Sequence, residues 1–73
     1  MVKRFDISVM DEKLQFDVKL QIALRNTALQ IMKFYSDTER FKNYVADREK
    51  KLKTILDSGE DVEIFNGGTK LFP

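Results

Sequence analysis

Two stretches near the N terminus alternate between apolar and polar residues. Apolar side chains occupy every second position from Phe5 to Val9, and after a polar segment at residues 10–13 the alternation resumes for eleven residues, from Leu14 to Leu24. Successive side chains of a β-strand point to opposite faces, so this period of two is typical of a half-buried strand. The pattern predicts an antiparallel β-hairpin with strands at residues 3–9 and 14–22.

The second of these stretches also has a helical interpretation. One helical face joins Phe16, Leu20 and Leu24 with Ala23 and Thr27. That face leaves the remaining apolar residues on the other side of the helix, namely Leu14, Val18 and Ile22. Because the strand interpretation accounts for every apolar position, we predict a strand here.

The middle of the chain has helical spacing. A Thr-x-x-Gln motif at residues 27–30 matches a capping box, which marks a helix N terminus, and apolar residues follow at helical intervals from Ala28 to Tyr35. A second box, Ser36-x-x-Glu39, comes next. It indicates either a break near Ser36 or an interruption within one long helix.

The second helical run is the most regular pattern in the chain. Its apolar residues lie within about 60° of one line when residues advance by about 100° each. Gly59 follows the run, and glycine adopts the left-handed conformation that ends many helices. We therefore predict a helix over residues 39–57, with a core face formed by Phe41, Tyr44, Val45, Leu52, Ile55 and Leu56.

The last residues predict a second hairpin. Val62 and Ile64 are typical of a short strand, residues 66–68 (Asn-Gly-Gly) favour a type I′ turn, and Thr69–Phe72 provide the returning strand. The predicted order is ββ-α-ββ, with a long or bent helix between the hairpins. This is a small α+β fold in which residues 1–73 form a single domain and the helix packs on one face of the sheet.

Composition excludes several classes of chemistry. The chain has 73 residues with no Cys, no His and no Trp. It therefore lacks a disulfide, a thiol nucleophile, an imidazole base and the usual ligands of zinc. No apolar run approaches the ~20 residues of a membrane span, and the first residues do not resemble a signal peptide. We expect a cytoplasmic protein without a membrane partner.

The seven Asp and five Glu residues make a two-carboxylate acid–base site arithmetically possible. A two-carboxylate site needs a cleft that raises the pKa of one acid, and a chain of 73 residues rarely encloses one. The acidic segment at residues 57–63 lacks the alternating oxygen ligands of a calcium loop. We expect no enzymatic activity, no cofactor and no metal site.

Charge is distributed unevenly although the net charge is only +1. Residues 38–56 carry six basic and three acidic side chains, a net of +3, whereas residues 57–73 carry four acidic and one basic side chain, a net of −3. A solvated helix face beside an acidic turn explains this pattern. The alternative is a surface complementary to a partner that carries both signs of charge.

Several residues allow both a structural and a functional interpretation. Arg48 falls near the centre of the apolar face of the second helix. Its stem can pack there while its guanidinium either extends to solvent or pairs with a carboxylate of the sheet, or the residue can anchor an interface. Phe65 and Phe72 either anchor a partner or pack onto the helix. Four aromatic residues have core spacing but also suit base stacking: Phe34, Tyr35, Phe41 and Tyr44.

These observations favour a non-enzymatic interaction protein that binds and regulates or inhibits a larger cytoplasmic assembly. RNA polymerase is a candidate target and a bacterial virus or mobile element a candidate source. The predicted partner-binding residues are Lys3, Arg4, Arg40, Arg48, Lys50, Lys51, Phe65 and Phe72. We expect a monomer or an edge-strand dimer. The alternative is a nucleic-acid-binding accessory protein that uses Lys3, Arg4, Arg25, Lys50, Lys51 and Lys53.

Overall fold

The fold consists of a helical hairpin that packs on one face of a three-stranded sheet. A computed structural model describes residues 1–35 and 39–73. Strand β1 (Val2–Asp6) is followed by a short 3₁₀ helix (Ile7–Val9). Two α-helices come next, α1 (Glu12–Met32) and α2 (Glu39–Ile55). The chain then forms strands β2 (Asp61–Asn66) and β3 (Thr69–Phe72), so the α+β class is confirmed.

The prediction of a strand at residues 14–22 is wrong, because these residues lie inside α1. Side chains two residues apart on a helix point about 200° apart. The apolar alternation therefore places Leu14, Val18 and Ile22 on one side of α1 and Phe16, Leu20 and Leu24 on the opposite side. Val18 and Ile22 are buried, whereas Phe16 is 66% exposed. A helix with two apolar sides has the same sequence pattern as a strand.

The N-cap of helix α1 lies sixteen residues before the predicted capping box at Thr27. The N-cap is Asp11, whose carboxylate accepts the backbone N–H of Leu14 at 2.9 Å. The Gln15 side chain donates to the Met10 carbonyl at 2.8 Å and holds the backbone that leads into the helix. Thr27 lies in mid-helix and donates its hydroxyl hydrogen to the Ala23 carbonyl at 3.0 Å. The predicted box at Ser36 lies outside the described residues.

The sheet has the strand order β1-β2-β3. Strand β1 pairs in parallel with β2, from Val2 opposite Asp61 to Asp6 opposite Phe65, so the predicted N-terminal hairpin does not form. Strands β2 and β3 form the predicted C-terminal hairpin. Gly67 has a φ of +63°, but Gly68 lacks a positive φ, so the turn is not of the predicted type I′.

The predicted second helix is confirmed, but Gly59 does not end it. Asp57 takes the left-handed conformation, with a φ of 54°. The N–H of Ser58 donates to the Lys53 carbonyl at 2.8 Å and that of Asp57 donates to the Thr54 carbonyl at 3.1 Å. These two bonds form a Schellman motif with Asp57 in the position usually held by glycine.

The core lies between the sheet and the adjacent ends of both helices. Its fully buried side chains are Ile7, Val18, Leu52 and Ile64. They pack with four further buried residues, Ile22, Leu56, Val62 and Phe72. The molecule measures 40 × 21 × 20 Å, and the helical hairpin extends along its long axis beyond this core.

Asp6 joins the end of β1 to the β2–β3 turn. Its Oδ1 accepts hydrogen bonds from the Ser8 hydroxyl at 2.7 Å, the Ser8 backbone N–H at 2.9 Å and the Gly67 backbone N–H at 3.0 Å. These bonds, the Ser8 hydroxyl foremost, lower the pKa of Asp6 below its ordinary value. The ionised carboxylate therefore stabilises the junction between β1 and the hairpin.

Candidate protein-interaction surface

The side of α1 that faces away from the core carries a row of apolar side chains. Phe16, Leu20, Leu24 and Ile31 recur at intervals of four and seven residues and so share this side of the helix. Phe16 is 66% exposed and Leu20 is 41% exposed. Isolated exposed apolar residues are common, but a contiguous row is typical of an interaction site.

The row continues into an apolar groove between the far ends of the two helices. The groove has a volume of about 210 Å³. It is lined by Leu24, Ala28 and Ile31 of α1 and by Arg40, Phe41 and Tyr44 of α2. We call the row and the groove together the hairpin face.

Aromatic side chains extend the hairpin face at its far end. The ring of Tyr35 packs against that of Phe41, with a centroid distance of 6.5 Å. Phe34 is 83% exposed and Tyr35 is 63% exposed. The core role that the sequence indicates for Phe34 and Tyr35 is therefore wrong, because the sheet does not reach this end of the hairpin.

Arg48 lies between the helices, beside the groove. One of its terminal nitrogens, Nη1, donates to Oε1 of the buried Gln21 at 2.9 Å, and its Cζ lies 5.2 Å from the centroid of the Tyr44 ring. Its Nε is buried without a hydrogen-bond acceptor among the described residues. The predicted pairing with a carboxylate of the sheet is wrong, since an amide and an aromatic ring of the helical hairpin take that place.

A second polar contact joins the helices at the same level. Nε of Arg25 lies 3.1 Å from a carboxylate oxygen of Glu49, and its guanidinium carbon lies 4.7 Å from the centroid of the Phe72 ring. The two contacts, Gln21–Arg48 and Arg25–Glu49, form what we call the polar layer. It separates the core from the apolar groove.

The structure brings three of the predicted partner-binding residues to one region of the hairpin. Arg40 lines the groove, Arg48 contacts Tyr44, and Lys51 lies seven residues after Tyr44 on the same side of α2. Lys50 points about 200° away from Arg48 and lies on the other side of the helix. The first three residues therefore accompany the hairpin face, and Lys50 does not.

Two further predicted residues meet on the sheet. The guanidinium carbon of Arg4 lies 5.9 Å from the Phe65 centroid, and Arg4 Nε lies 3.8 Å from a carboxylate oxygen of Glu63. Lys70 also pairs with Glu63, at 3.4 Å. This surface is polar and its charges are paired, which is typical of a solvated sheet face. Lys3 lies instead with its Nζ 5.6 Å from the Phe5 centroid.

Of the two interpretations of Phe72, anchor of a partner or packing onto the helix, the structure shows packing. Its side chain is 6% exposed and belongs to the core. Phe65 is half-buried beneath Arg4. The alternation of β2 directs Val62 and Ile64 toward the helices, and a bulge between Ile64 and Phe65 interrupts the register with β3. The two phenylalanines therefore do not form a joint exposed surface.

The basic residues of the nucleic-acid alternative do not form one continuous stripe. Arg25 is paired with Glu49, and Lys53 is paired with Asp61 at 2.9 Å. The hydrogen bond from Lys53 lowers the pKa of Asp61. Lys53 and Asp61 line a second groove, of about 340 Å³, between α2 and the sheet, where Glu63 and Lys70 are also paired. The acidic and basic blocks of the sequence thus partly neutralise each other.

Asp6 and Asp61 are poorly suited to act as general acids near neutral pH. The pKa of each carboxyl is lowered, whereas an effective general acid near neutral pH needs a raised pKa. Within residues 1–35 and 39–73, no three potential metal-ligating side chains cluster in space. No helix in this described part of the chain is both long and apolar enough to cross a membrane.

The hairpin face was not found by the sequence interpretation, although its signal is present. Alternation over eleven residues fits two opposite sides of a helix as well as the two faces of a strand. Asp11 lies three residues before Leu14, at the right distance to cap such a helix.

Comparison of the chain with protein-family models, with curated proteins and with solved structures finds no match.

Proposed function

We propose that this protein is a non-catalytic interaction module that binds another protein through the hairpin face. It regulates or inhibits the larger assembly to which that partner belongs. The observation that carries the proposal is the second apolar side of α1, where Phe16 and Leu20 are exposed although the opposite side of the same helix is packed in the core. An uncovered apolar row contributes little to the stability of the free domain, but it suits an interface with a partner.

The size of the groove favours a protein side chain as its occupant. Small-molecule sites usually enclose ~300–1,000 Å³ and surround most of the ligand. The groove measures only about 210 Å³ and opens to solvent along the helices. It accommodates one bulky apolar side chain presented by a partner, in the manner of a helix bound in a groove.

Positive charges beside the groove give this surface a preferred partner chemistry. Arg40 lines the groove, Lys51 lies on the same side of α2, and no carboxylate among the described residues pairs with Arg48. Charges at an interface mainly orient the partner and accelerate association. A partner surface that presents an apolar anchor flanked by carboxylates complements this arrangement.

The test compares two substitutions at adjacent positions of α1. Leu20→Gln removes an apolar side chain from the hairpin face, whereas Lys19→Gln introduces the same residue about 100° away, on the polar side. Each variant is used for affinity capture from the source cell and for direct binding to the captured assembly and to purified RNA polymerase. We expect Leu20→Gln to abolish binding and Lys19→Gln to preserve it.

Equal recovery of the partner by both variants contradicts the proposal. Salt titration of the captured complex provides a second criterion. A protein interface responds moderately to salt, whereas phosphate contacts weaken steeply and log-linearly, with a slope set by the number of contacts. A steep slope together with loss of binding in Lys19→Gln supports the nucleic-acid alternative instead.

A further inference from the structure

We propose that the hairpin face also binds a second copy of this chain, in an antiparallel arrangement with two-fold symmetry. This inference rests on the proposed function, because it concerns the same surface, and it adds regulation of that surface. In the dimer both hairpin faces are covered, so partner binding competes with self-association. The argument depends on how the apolar features are placed along α1.

The hairpin face has a protruding part and a receiving part. The exposed side chains Phe16 and Leu20 lie at the end of α1 near the sheet, outside the lining of the groove. The groove begins at Leu24 and extends to Ile31 at the far end of the same side. A surface with a protrusion at one end and a groove at the other is complementary to itself when one copy is turned end to end.

The residue spacing fits such a two-fold axis. An axis that passes between Ala23 and Leu24 places Phe16 opposite Ile31 of the second copy and Leu20 opposite its Thr27. Phe16 then meets a residue of the same row, Leu20 meets Thr27 in the lining of the groove, and Leu24 meets Ala23 beside the axis. Phe16 and Leu20 of each copy reach the groove of the other, so each contact occurs twice.

Charges at the two ends are also complementary. Asp17 follows Phe16 on the side of α1 that is turned toward α2, and Arg40 lines the groove together with Ile31. The arrangement that brings Phe16 to Ile31 therefore brings Asp17 of each copy to Arg40 of the other. The net charge of +1 opposes association only weakly.

A small core makes this association favourable. A chain of 73 residues buries a smaller fraction of its surface than a larger domain does, and many small folds gain stability by oligomerisation. Antiparallel docking of two helical hairpins gives a four-helix arrangement, which buries the second apolar side of α1 as the sheet buries the first.

The experiment is sedimentation equilibrium of the full chain from micromolar to millimolar concentration. We expect a monomer–dimer equilibrium. Leu20→Gln removes two apolar contacts per dimer and should raise the dissociation constant by roughly 100-fold or more. Lys19→Gln should leave it unchanged within about threefold. Circular dichroism confirms that each variant retains its helices.

Charge reversal tests the proposed orientation. Asp17→Arg and Arg40→Asp each bring like charges together twice and should weaken the dimer by about tenfold or more. The double variant restores both pairs in reversed order and should recover dimerisation to within about threefold. Rescue by the double variant supports the antiparallel register, and additive weakening overturns it.

Two other results overturn the inference. One is a monomer at all concentrations, and the other is a dimer that is insensitive to Leu20→Gln. Neither affects the proposed function, which depends on partner capture by the same variants. If the protein is monomeric and Leu20→Gln abolishes partner binding, the proposed function stands and the dimer inference fails. If the protein dimerises but no partner depends on Leu20, only the dimer inference stands.

Discussion

The two ends of the helical hairpin are built differently. Near the sheet, Val18 of α1 and Leu52 of α2 are fully buried against Ile64 and other strand residues. At the far end the sheet is absent, and the helices cover only each other, with Ala28 and Val45 buried. The difference shows that the sheet determines how deeply the facing sides of the two helices are buried: they form a core beside the sheet, and at the far end they leave a groove that is open to solvent.

The polar layer marks the boundary between these ends. Gln21 and Arg48, with Arg25 and Glu49, occupy positions where an uninterrupted hairpin would carry apolar side chains. Partly buried polar contacts add little net stability because desolvation offsets their attraction, and in some proteins such contacts fix the register of packed elements. The layer therefore aligns the helices without extending the core toward the groove.

The largest expected effect on stability comes from replacing a leucine by alanine at the sheet end of the hairpin, and the same substitution at the far end serves as the comparison. Leu52→Ala removes a fully buried side chain and should lower the free energy of unfolding by about 2–5 kcal/mol. Leu24→Ala, at the groove, should lower it by less than about 1.5 kcal/mol, because this side chain is only partly buried and lies outside the core. Urea denaturation followed by circular dichroism measures both, and equal losses contradict the comparison.

A smaller effect is expected in the polar layer. Arg48→Ala leaves the buried Gln21 without its donor and removes the packed arginine stem, so it should destabilise the protein by about 1–3 kcal/mol. The pair Gln21→Leu with Arg48→Met replaces both groups by apolar ones and should come within about 1 kcal/mol of the parent or exceed it. A double variant no more stable than Arg48→Ala shows that the layer stabilises the hairpin directly.

A substitution at the end of α2 next to the sheet should increase the stability of the protein. Asp57 is held at a φ of 54°, where glycine is less strained, so Asp57→Gly should raise the free energy of unfolding by about 0.5–1 kcal/mol. The control is Gly59→Ala, which meets no atom within 4 Å and should be nearly neutral. Thermal and urea unfolding measure both. A stability loss in Asp57→Gly shows that the carboxylate of Asp57 has a role beyond its backbone position.

The smallest effect concerns pH and the junction at Asp6. The pKa of Asp6 is lowered from 3.8, so its hydrogen bonds stabilise the fold above about pH 4 and are lost as the pH falls through the folded-state value. Asp6→Asn keeps an acceptor oxygen but does not titrate there. We expect the stability difference between parent and variant to shrink on acidification. Stability curves that stay parallel from pH 7 to pH 2 contradict this assignment.

The sequence predicts α2 and the C-terminal hairpin well because each has one buried side. In α2 the apolar residues follow a single line, and Gly67 between β2 and β3 has the positive φ that favours glycine. The α+β class follows from these elements. Local patterns of this kind are determined by neighbouring residues and can be read without knowledge of the tertiary structure.

Helix α1 and the pairing of β1 could not be predicted for different physical reasons. The two apolar sides of α1 mimic a strand, and tertiary packing decides which of the two sides is buried. The partner of β1 is β2, whose residues lie far away in the sequence. The exposure of Phe16 and the burial of Phe72 both depend on this long-range arrangement.

The parallel pairing of β1 with β2 has a consequence for the order of folding. The two helices and the β2–β3 hairpin form from contacts between neighbouring segments, whereas Val2 pairs with Asp61 and the N–H of Gly67 reaches Asp6 across 61 positions. Contacts between distant residues form late, because closing a long loop costs entropy before the contact is gained. During synthesis β1 is made before β2 and remains unpaired until β2 has been added, so β1 joins the sheet as one of the last steps.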